Sequence, residues 1–175
     1  MENIVLRKLI PRSLLFILLG TTPFVASAGT DVADGYRCTA GVSPEKVIRA
    51  FIERGFVATK PYEIVDAIHE FAAKPGNTAF GLPLIAVVGW EENSAFFGRG
   101  PGTAPPVHFS FVVRANEWQL TNAVRHQGIT VASRSYGGAY PNVRVQGFNS
   151  QVPDTLPPGT DPRFSYAQVV CSPRV

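Results

Sequence analysis

The chain has 175 residues, of which 45% are hydrophobic and 17% charged, so its composition is that of a folded protein and excludes an intrinsically disordered one. This length accommodates one domain, and two cysteines are too few for a disulfide-dense miniprotein or a four-thiolate zinc site. A formal net charge of +3 and an isoelectric point near 9.1 favour, at first sight, a nucleic-acid or membrane-surface partner.

The first 28 residues have the three parts of a secretory signal peptide. The basic start holds Arg7, Lys8 and Arg12, the apolar centre spans residues 14–19, and small residues occupy positions 26–28. A glycine, two threonines and a proline break the apolar run well before the about 20 residues that a membrane-spanning helix needs. We therefore expect cleavage after Ala28, a mature domain over residues 29–175, a periplasmic or secreted location, and no membrane span.

Removal of this segment changes the charge that a partner would meet. It carries three of the 16 basic residues and one of the 13 acidic ones, so residues 29–175 hold 13 basic against 12 acidic residues, a net charge of +1. The remaining arginines are scattered, whereas capture of nucleic-acid phosphates needs several clustered basic side chains. The sequence therefore predicts no nucleic-acid partner.

Both cysteines, Cys38 and Cys171, lie in the mature part near its two ends. In an oxidising compartment an even number of cysteines is usually paired, so we expect a Cys38–Cys171 disulfide. The alternative is two separately buried thiols.

The first half of the domain is predicted to open with a strand and a helix. Tyr36–Thr39 is interpreted as the strand. Ser43, Pro44 and Glu45 form a typical helix start, and Gly55 is a typical helix end. Apolar residues recur between them at helical spacing: Val47, Ile48, Phe51 and Ile52. Phe56–Thr59 follows as a returning strand.

The middle of the chain contains one ambiguous and one clear segment. Tyr62–Ala72 fits either a helix face or a hairpin, and its β-branched residues favour the hairpin. Leu82–Trp90 is almost entirely apolar and predicts a buried central strand.

The second half is predicted to repeat the order strand, helix, strand. Val107–Val113 reads as a strand, Asn116–Gln127 as a helix that ends at Gly128, and Ile129–Ala132 as a returning parallel strand. Two such βαβ-like units predict an α+β fold, specifically a ferredoxin-like two-layer sandwich of two helices on a mixed, mainly antiparallel sheet. Extra strands are expected at residues 139–147 and 164–171.

Two segments rich in glycine and proline, residues 98–106 and 153–162, are predicted to be long loops. The first lacks the Gly-Lys-Ser/Thr ending of a phosphate-binding loop. Its arginine could hold a carboxylate, and aromatic side chains flank it. The predicted binding residues are Trp90, Phe96, Phe97, Arg99 and Thr103. The competing interpretation is an ordered structural loop that buries its own aromatic side chains.

The histidines give weak signals for chemistry. His69 lies beside Asp66 and Glu70 but is a single imidazole, so no metal site is predicted. His108 belongs to a strand and His126 to the end of a helix, where its charge would favour the helix dipole. No nucleophile motif accompanies them, and neither a catalytic residue nor a cofactor is predicted.

These observations favour an exported protein that acts by binding another envelope or secreted protein. One alternative is a small periplasmic hydrolase with His69 or His108 as general base, which requires a serine or carboxylate within hydrogen-bond reach. Another is a small-ligand carrier, which requires a closed apolar cavity.

Overall fold

A computed structural model describes residues 27–98, 107–132, 143–148 and 156–172, which form one antiparallel sheet with helices on one of its faces. The helices of these ranges are α1 (Ser27–Tyr36), α2 (Pro44–Glu53) and α3 (Glu117–His126). The strands are β1 (Glu63–Val65), β2 (Ile68–Ala72), β3 (Thr78–Ala79), β4 (Leu82–Trp90), β5 (His108–Val113), β6 (Val143–Gly147) and β7 (Ala167–Cys171).

The strand order is β1-β2-β4-β5-β7-β6, with β3 paired to β4, and every strand pair of the described ranges is antiparallel. The α+β class predicted from the sequence is therefore correct. The ferredoxin-like sandwich with two helices and a mixed sheet is not confirmed, because the ranges above hold three helices and no parallel pair.

The predicted βαβ unit is wrong, and strand pairing explains why. Both edges of β5 are occupied, one by β4 and the other by β7. The Ile129–Ala132 segment therefore has no place beside β5 and forms no strand. Its Ala132 N–H donates one hydrogen bond of 3.1 Å to the carbonyl of Val143 in β6.

Alternating residues of the central strands face two different cores, as the strand pleat requires. Phe111 and Val113 face the main core, which the three described helices cover. Val112 and Ala86 face a smaller cluster on the other side of the sheet, which the Leu156–Tyr166 segment covers. The second face of the sheet is thus covered by loop residues and by Tyr62.

The helix starts follow the sequence signals. At α2, the Ser43 side chain accepts a hydrogen bond from the Lys46 N–H (3.3 Å). At α3, Asn116 and Gln119 form a reciprocal capping box, with bonds of 2.8 and 2.9 Å. Both helices therefore begin at well-defined positions, as predicted.

The three described helices end in the same motif, in which the residue after the cap is left-handed. Gly55 and Gly128 hold this position in α2 and α3, with φ of 72° and 77°. In α1 the position belongs to Cys38, with φ of 49°. Its N–H donates to the Gly35 carbonyl and the Thr39 N–H to the Asp34 carbonyl, both at 3.0 Å. The strand predicted at Tyr36–Thr39 is therefore wrong, because these residues end a helix.

The hairpin favoured for residues 62–72 is correct. β1 and β2 pair from Glu63 to Glu70, and Asp66 and Ala67 form the two-residue turn with positive φ at both. The strand predicted at Phe56–Thr59 reduces to one isolated bridge between Val57 and Ala73. The central strand Leu82–Trp90 is confirmed as β4.

The predicted disulfide is present and links the end of α1 to β7. Cys38 and Cys171 are bonded, with their Cα atoms 5.1 Å apart and 133 residues between them in sequence. The pair therefore closes most of the described chain into one covalent loop. No helix in the ranges given above has the length and apolar character that crossing a membrane would require.

Candidate functional site

The predicted binding residues divide into buried and undescribed ones. Trp90 ends β4 and is 6% exposed, and Phe97 in the following loop is 3% exposed. Both belong to the main core, against which the half-buried Phe96 packs. Arg99 and Thr103 lie outside the described residues, so their role stays a prediction. The described aromatic side chains of this site therefore pack on the core and offer a partner little surface.

The loop after β4 is attached to the start of α2 by carboxylates. The Glu91 carboxylate accepts hydrogen bonds from the Ser43 hydroxyl (2.5 Å) and the Glu45 N–H (2.9 Å). The Glu45 carboxylate in turn accepts from the Ser94 hydroxyl (2.6 Å), and this bond, with that from Arg49, lowers the pKa of Glu45. The bond from the Glu45 N–H satisfies a helix N-terminal donor that would otherwise need water.

Aromatic stacking holds the same loop against the sheet. The Phe96 ring stacks on Phe71 with centroids 5.9 Å apart, and the Phe97 ring meets Phe96 edge-on at 5.0 Å. The Arg49 guanidinium lies 4.6 Å from the Phe96 centroid. The Trp90 indole N–H is buried without a hydrogen-bond partner among the described residues, at a cost of about 1–3 kcal/mol.

His69 is half-buried beside this aromatic cluster. Its ring lies 5.4 to 6.2 Å from those of Phe71, Phe96 and Phe97. Burial lowers the pKa of His69, while a hydrogen bond to the Phe97 backbone partly opposes that shift. These contacts give the His69 ring a role in packing.

The metal-ligand types around His69 do not converge. Glu70 follows His69 in β2, so the two side chains point to opposite faces of the sheet, and Asp66 lies in the hairpin turn. The described ranges contain no group of three His, Cys, Asp or Glu side chains that could hold a metal ion. His108 begins β5 and His126 ends α3.

Glu70, which the sequence marks only as a neighbour of His69, is a buried carboxylate. It is 6% exposed on the sheet face opposite the helices, and its carboxylate accepts a hydrogen bond of 2.6 Å from the Tyr62 hydroxyl. Burial raises the pKa of Glu70, and Glu63, its partner across the hairpin, adds to the rise. Ser110, the other buried polar residue, lies two strands away with Val88 between them. The two do not form a catalytic pair.

One end of the sheet carries two exposed aromatic side chains and an exposed arginine. Trp118, in the first turn of α3, is 73% exposed, and Phe164, in the segment before β7, is 47% exposed. The guanidinium of Arg114, the residue after β5, lies 4.6 Å from the Phe164 centroid. Arg114, Trp118 and Phe164 lie at the same end because Val113 and Gly147 both pair with Ala167, and Gly147 touches Glu117. We call these three residues the aromatic end surface.

Local hydrogen bonds hold both segments of the aromatic end surface. Besides the capping box, the Glu117 carboxylate accepts from the Gly147 N–H (3.1 Å), which ties the start of α3 to β6. On the other segment, the Tyr166 hydroxyl donates to the Asp161 carbonyl (2.7 Å), and the Asp161 carboxylate binds the Arg163 guanidinium. Hydrogen bonds therefore hold the backbone segments that carry Trp118 and Phe164.

The spacing of residues in α3 predicts that Trp118 is exposed. Leu120 and Val124 form the buried face of α3. A residue two positions before Leu120 lies on the other side of a helix. Helical phase alone thus places Trp118 in solvent.

Comparison of the chain with protein families, curated proteins and solved structures finds no match. The site is therefore interpreted from its own chemistry.

Proposed function

We propose that this protein is exported to the periplasm or the cell exterior and acts by binding another envelope or secreted protein through the aromatic end surface. The exposure of Trp118 on a capped helix carries the proposal. Tryptophan is enriched among the few residues that carry most of the binding energy of protein interfaces, because one rigid ring removes a large apolar area from water. A ring left 73% exposed contributes little to folding, which favours a role in contact with a partner.

Two further features support the proposal. The first segment of the sequence has the pattern of a signal peptide, and the Cys38–Cys171 disulfide is of the kind that persists in oxidising compartments. The contact surface proposed here replaces the one predicted around Trp90 and Phe97, whose side chains are buried. The contacts of His69 with aromatic rings and with the Phe97 backbone give no reason to favour a hydrolase.

Export is tested by fractionating cells that express the full chain. We expect the protein in the extracytoplasmic fraction, with Gly29 as its first residue by N-terminal sequencing. Protein that remains in the cytoplasm with residues 1–28 attached would contradict export.

Binding is tested by capture from envelope extract with three immobilised proteins: wild type, Trp118→Ala and Ile64→Ala. Ile64 is the matched control because it is 56% exposed but lies in β1, at the edge of the sheet away from α3. Every protein enriched by wild type is purified and its affinity measured. We expect Trp118→Ala to weaken binding about tenfold or more and Ile64→Ala to change it less than about twofold. Equal affinities for wild type and Trp118→Ala would remove the proposal.

A further inference from the structure

The surroundings of Trp118 indicate what kind of partner site can bind it, an inference that rests on the proposed function. Trp118 lies in the first turn of α3, which covers one face of the sheet, and its side chain is 73% exposed. The segment that carries Phe164 covers the opposite face. Among the described residues, no aromatic ring or cation contacts the Trp118 ring. The indole therefore projects into solvent as a single side chain.

The side chains around Trp118 on α3 are polar. Glu117 and Gln119 flank it in sequence and are exposed. Asn122 and Arg125 follow four and seven residues later and so lie along the same side of the helix. Within α3, whose residues are all described, Trp118 is the one large apolar side chain that is exposed. A partner thus meets one aromatic ring in a polar surround.

Hydrogen bonds hold the backbone from which this ring projects. The side chains of Asn116 and Gln119 close the capping box, and the Glu117 carboxylate accepts from the Gly147 N–H at 3.1 Å. A tryptophan side chain adds two rotatable bonds of its own. Association therefore orders few degrees of freedom on this side of an interface, which favours a rigid anchor over an adaptable surface.

The apolar area distinguishes a flat contact from insertion. An enclosed aromatic side chain buries about 150–250 Å², and a flat partner surface covers one face of the ring, about half of that area. The polar side chains around Trp118 add no large apolar area to a flat contact. The side chains that carry most of the binding energy of interfaces lie in desolvated pockets. Insertion is the geometry that buries both faces and the edge of this ring.

We propose that Trp118 is an anchor that inserts into a preformed apolar pocket of the partner protein. The pocket also holds a hydrogen-bond acceptor for the indole N–H, because enclosure removes the water that solvates this donor. Its cavity has the size of one indole ring, so it discriminates tryptophan from smaller apolar side chains. In this complex the present chain supplies the projecting group and the partner supplies the cavity.

A second copy of this chain is the alternative occupant, and the areas disfavour it. Two copies related by a two-fold axis would stack their Trp118 rings, which covers far less than the about 800 Å² per partner of a standard interface. We expect sedimentation velocity to show a monomer at every protein concentration. A wild-type dimer that Trp118→Ala abolishes would overturn the inference.

The accessibility of the ring can be measured in the full protein labelled with 5-fluorotryptophan. The chain has two tryptophans, and Trp90, which is 6% exposed, is the matched control within the same molecule. Exchange of light for heavy water shifts the resonance of a fluorine atom in contact with solvent. We therefore expect a solvent shift for Trp118 and little for Trp90, with Trp118→Phe assigning the two resonances.

β-Cyclodextrin, whose apolar cavity accepts one indole ring, is the model pocket for this measurement. At millimolar concentration we expect it to move the Trp118 resonance and to reduce its solvent shift about twofold or more, as when at least half of the rings are enclosed. The Trp90 resonance should stay unchanged. A Trp118 resonance that responds no more than that of Trp90 would overturn the inference.

The proteins captured by wild type then test the pocket through three variants: Trp118→Phe, Trp118→Leu and Trp118→Ala. We expect Trp118→Phe to weaken binding about tenfold and the two smaller side chains to weaken it further, because a pocket loses contacts with each group removed. In the complex, the fluorine resonance of Trp118 should lose its solvent shift. Affinities of the phenylalanine and leucine variants within about threefold of wild type would indicate a flat contact and overturn the inference.

Failure of this inference can be told apart from failure of the proposed function. A captured protein that is weakened by Trp118→Ala, tolerates Trp118→Leu and leaves the fluorine resonance exposed to solvent would leave the binding function standing and overturn the pocket. A captured protein whose affinity is unchanged by Trp118→Ala would overturn both.

Discussion

At the scale of single residues, Glu70 is the position where burial and charge conflict. Its side chain is buried, and its carboxylate accepts a hydrogen bond of 2.6 Å from the Tyr62 hydroxyl. Desolvation favours the protonated form, so folding raises the pKa of Glu70 above its ordinary value of 4.5. The folded state thus binds a proton that the unfolded state releases over the pH range above 4.5.

This shift predicts a pH dependence of stability. The contribution of Glu70 is fully present below its unfolded pKa and is lost as the pH rises through its folded pKa. Relative to wild type, Glu70→Gln should therefore unfold at a higher temperature at pH 7.5 and show a smaller loss of melting temperature between pH 4.5 and pH 7.5. Tyr62→Phe should steepen that loss, because the Tyr62 bond lowers the pKa of Glu70.

Thermal unfolding by circular dichroism, over that pH series, provides the measurement. Glu92→Gln serves as control because Glu92 is exposed in the loop after β4. A pH profile of Glu70→Gln parallel to that of wild type would contradict the prediction.

At the scale of elements, the packing of α1 on α2 depends on a missing side chain. A Cβ at Gly35 would lie 2.7 Å from Cγ1 of Val47, whose side chain is fully buried. Glycine lowers helix propensity, so its place in a helix needs a packing reason, and this close approach supplies one. The two helices can contact at this distance because the position carries no methyl group.

Gly35→Ala is therefore expected to destabilise the protein by up to about 2 kcal/mol, the difference between an overpacking cost of about 1–3 kcal/mol and a helix-propensity gain of about 1 kcal/mol. Urea unfolding measures the difference. The double variant Gly35→Ala with Val47→Ala should cost less than the sum of the single changes, because the second change removes the clash. As control, Ala33→Gly on the exposed side of α1 should cost about 1 kcal/mol. A Gly35→Ala protein more stable than wild type would refute the packing argument.

The helix α1 shows which elements local sequence patterns can predict and which they cannot. Both α2 and α3 were predictable because caps and glycine ends mark them locally, and β4 and β5 because their residues are apolar and β-branched. The helix α1 was missed because Gly35 and Cys38 stand where helix formers and a terminal glycine are usual. Only their tertiary partners, Val47 and Cys171, explain these residues.

Strand partners were the other part that local patterns could not determine. Ile129–Ala132 has strand-forming residues, but β4 and β7 occupy both edges of β5. The predicted binding site required the side chains of Trp90 and Phe97 to be exposed, whereas the fold buries both. Aromatics beside a Gly/Pro-rich loop look alike whether they face solvent or core, and the fold here buries these two.

At the scale of the whole molecule, one covalent link ties α1 to β7, the strand that lies between β5 and β6 in the sheet. A loop of 133 residues corresponds to about 5 kcal/mol of chain entropy, an upper figure for the stabilisation. Cys38 also adopts a left-handed conformation that costs a residue with a side chain about 1 kcal/mol. Removal of the bond therefore has two separable consequences.

We expect the double variant Cys38→Ala with Cys171→Ala to lose about 2–5 kcal/mol of unfolding free energy. Cys38→Gly with Cys171→Ala should lose about 1 kcal/mol less, because glycine accepts the left-handed position. Guanidinium unfolding of oxidised wild type and both variants tests this. Identical stabilities of the two variants would contradict the cost assigned to the left-handed conformation of Cys38. A variant as stable as wild type would contradict the stabilisation assigned to the disulfide.

The same disulfide imposes an order on biosynthesis. A ribosome adds residues from the N-terminus, so Cys38 emerges 133 residues before the sulfur with which it pairs. During that interval the Cys38 thiol has no native partner, and β7, which fills the place between β5 and β6, does not yet exist. Native oxidation must therefore be a late event, and until then an oxidase or a second nascent chain can hold Cys38 in a mixed disulfide. Alkylation of nascent chains arrested before and after Cys171 would measure how much of the Cys38 thiol is unpaired at each stage.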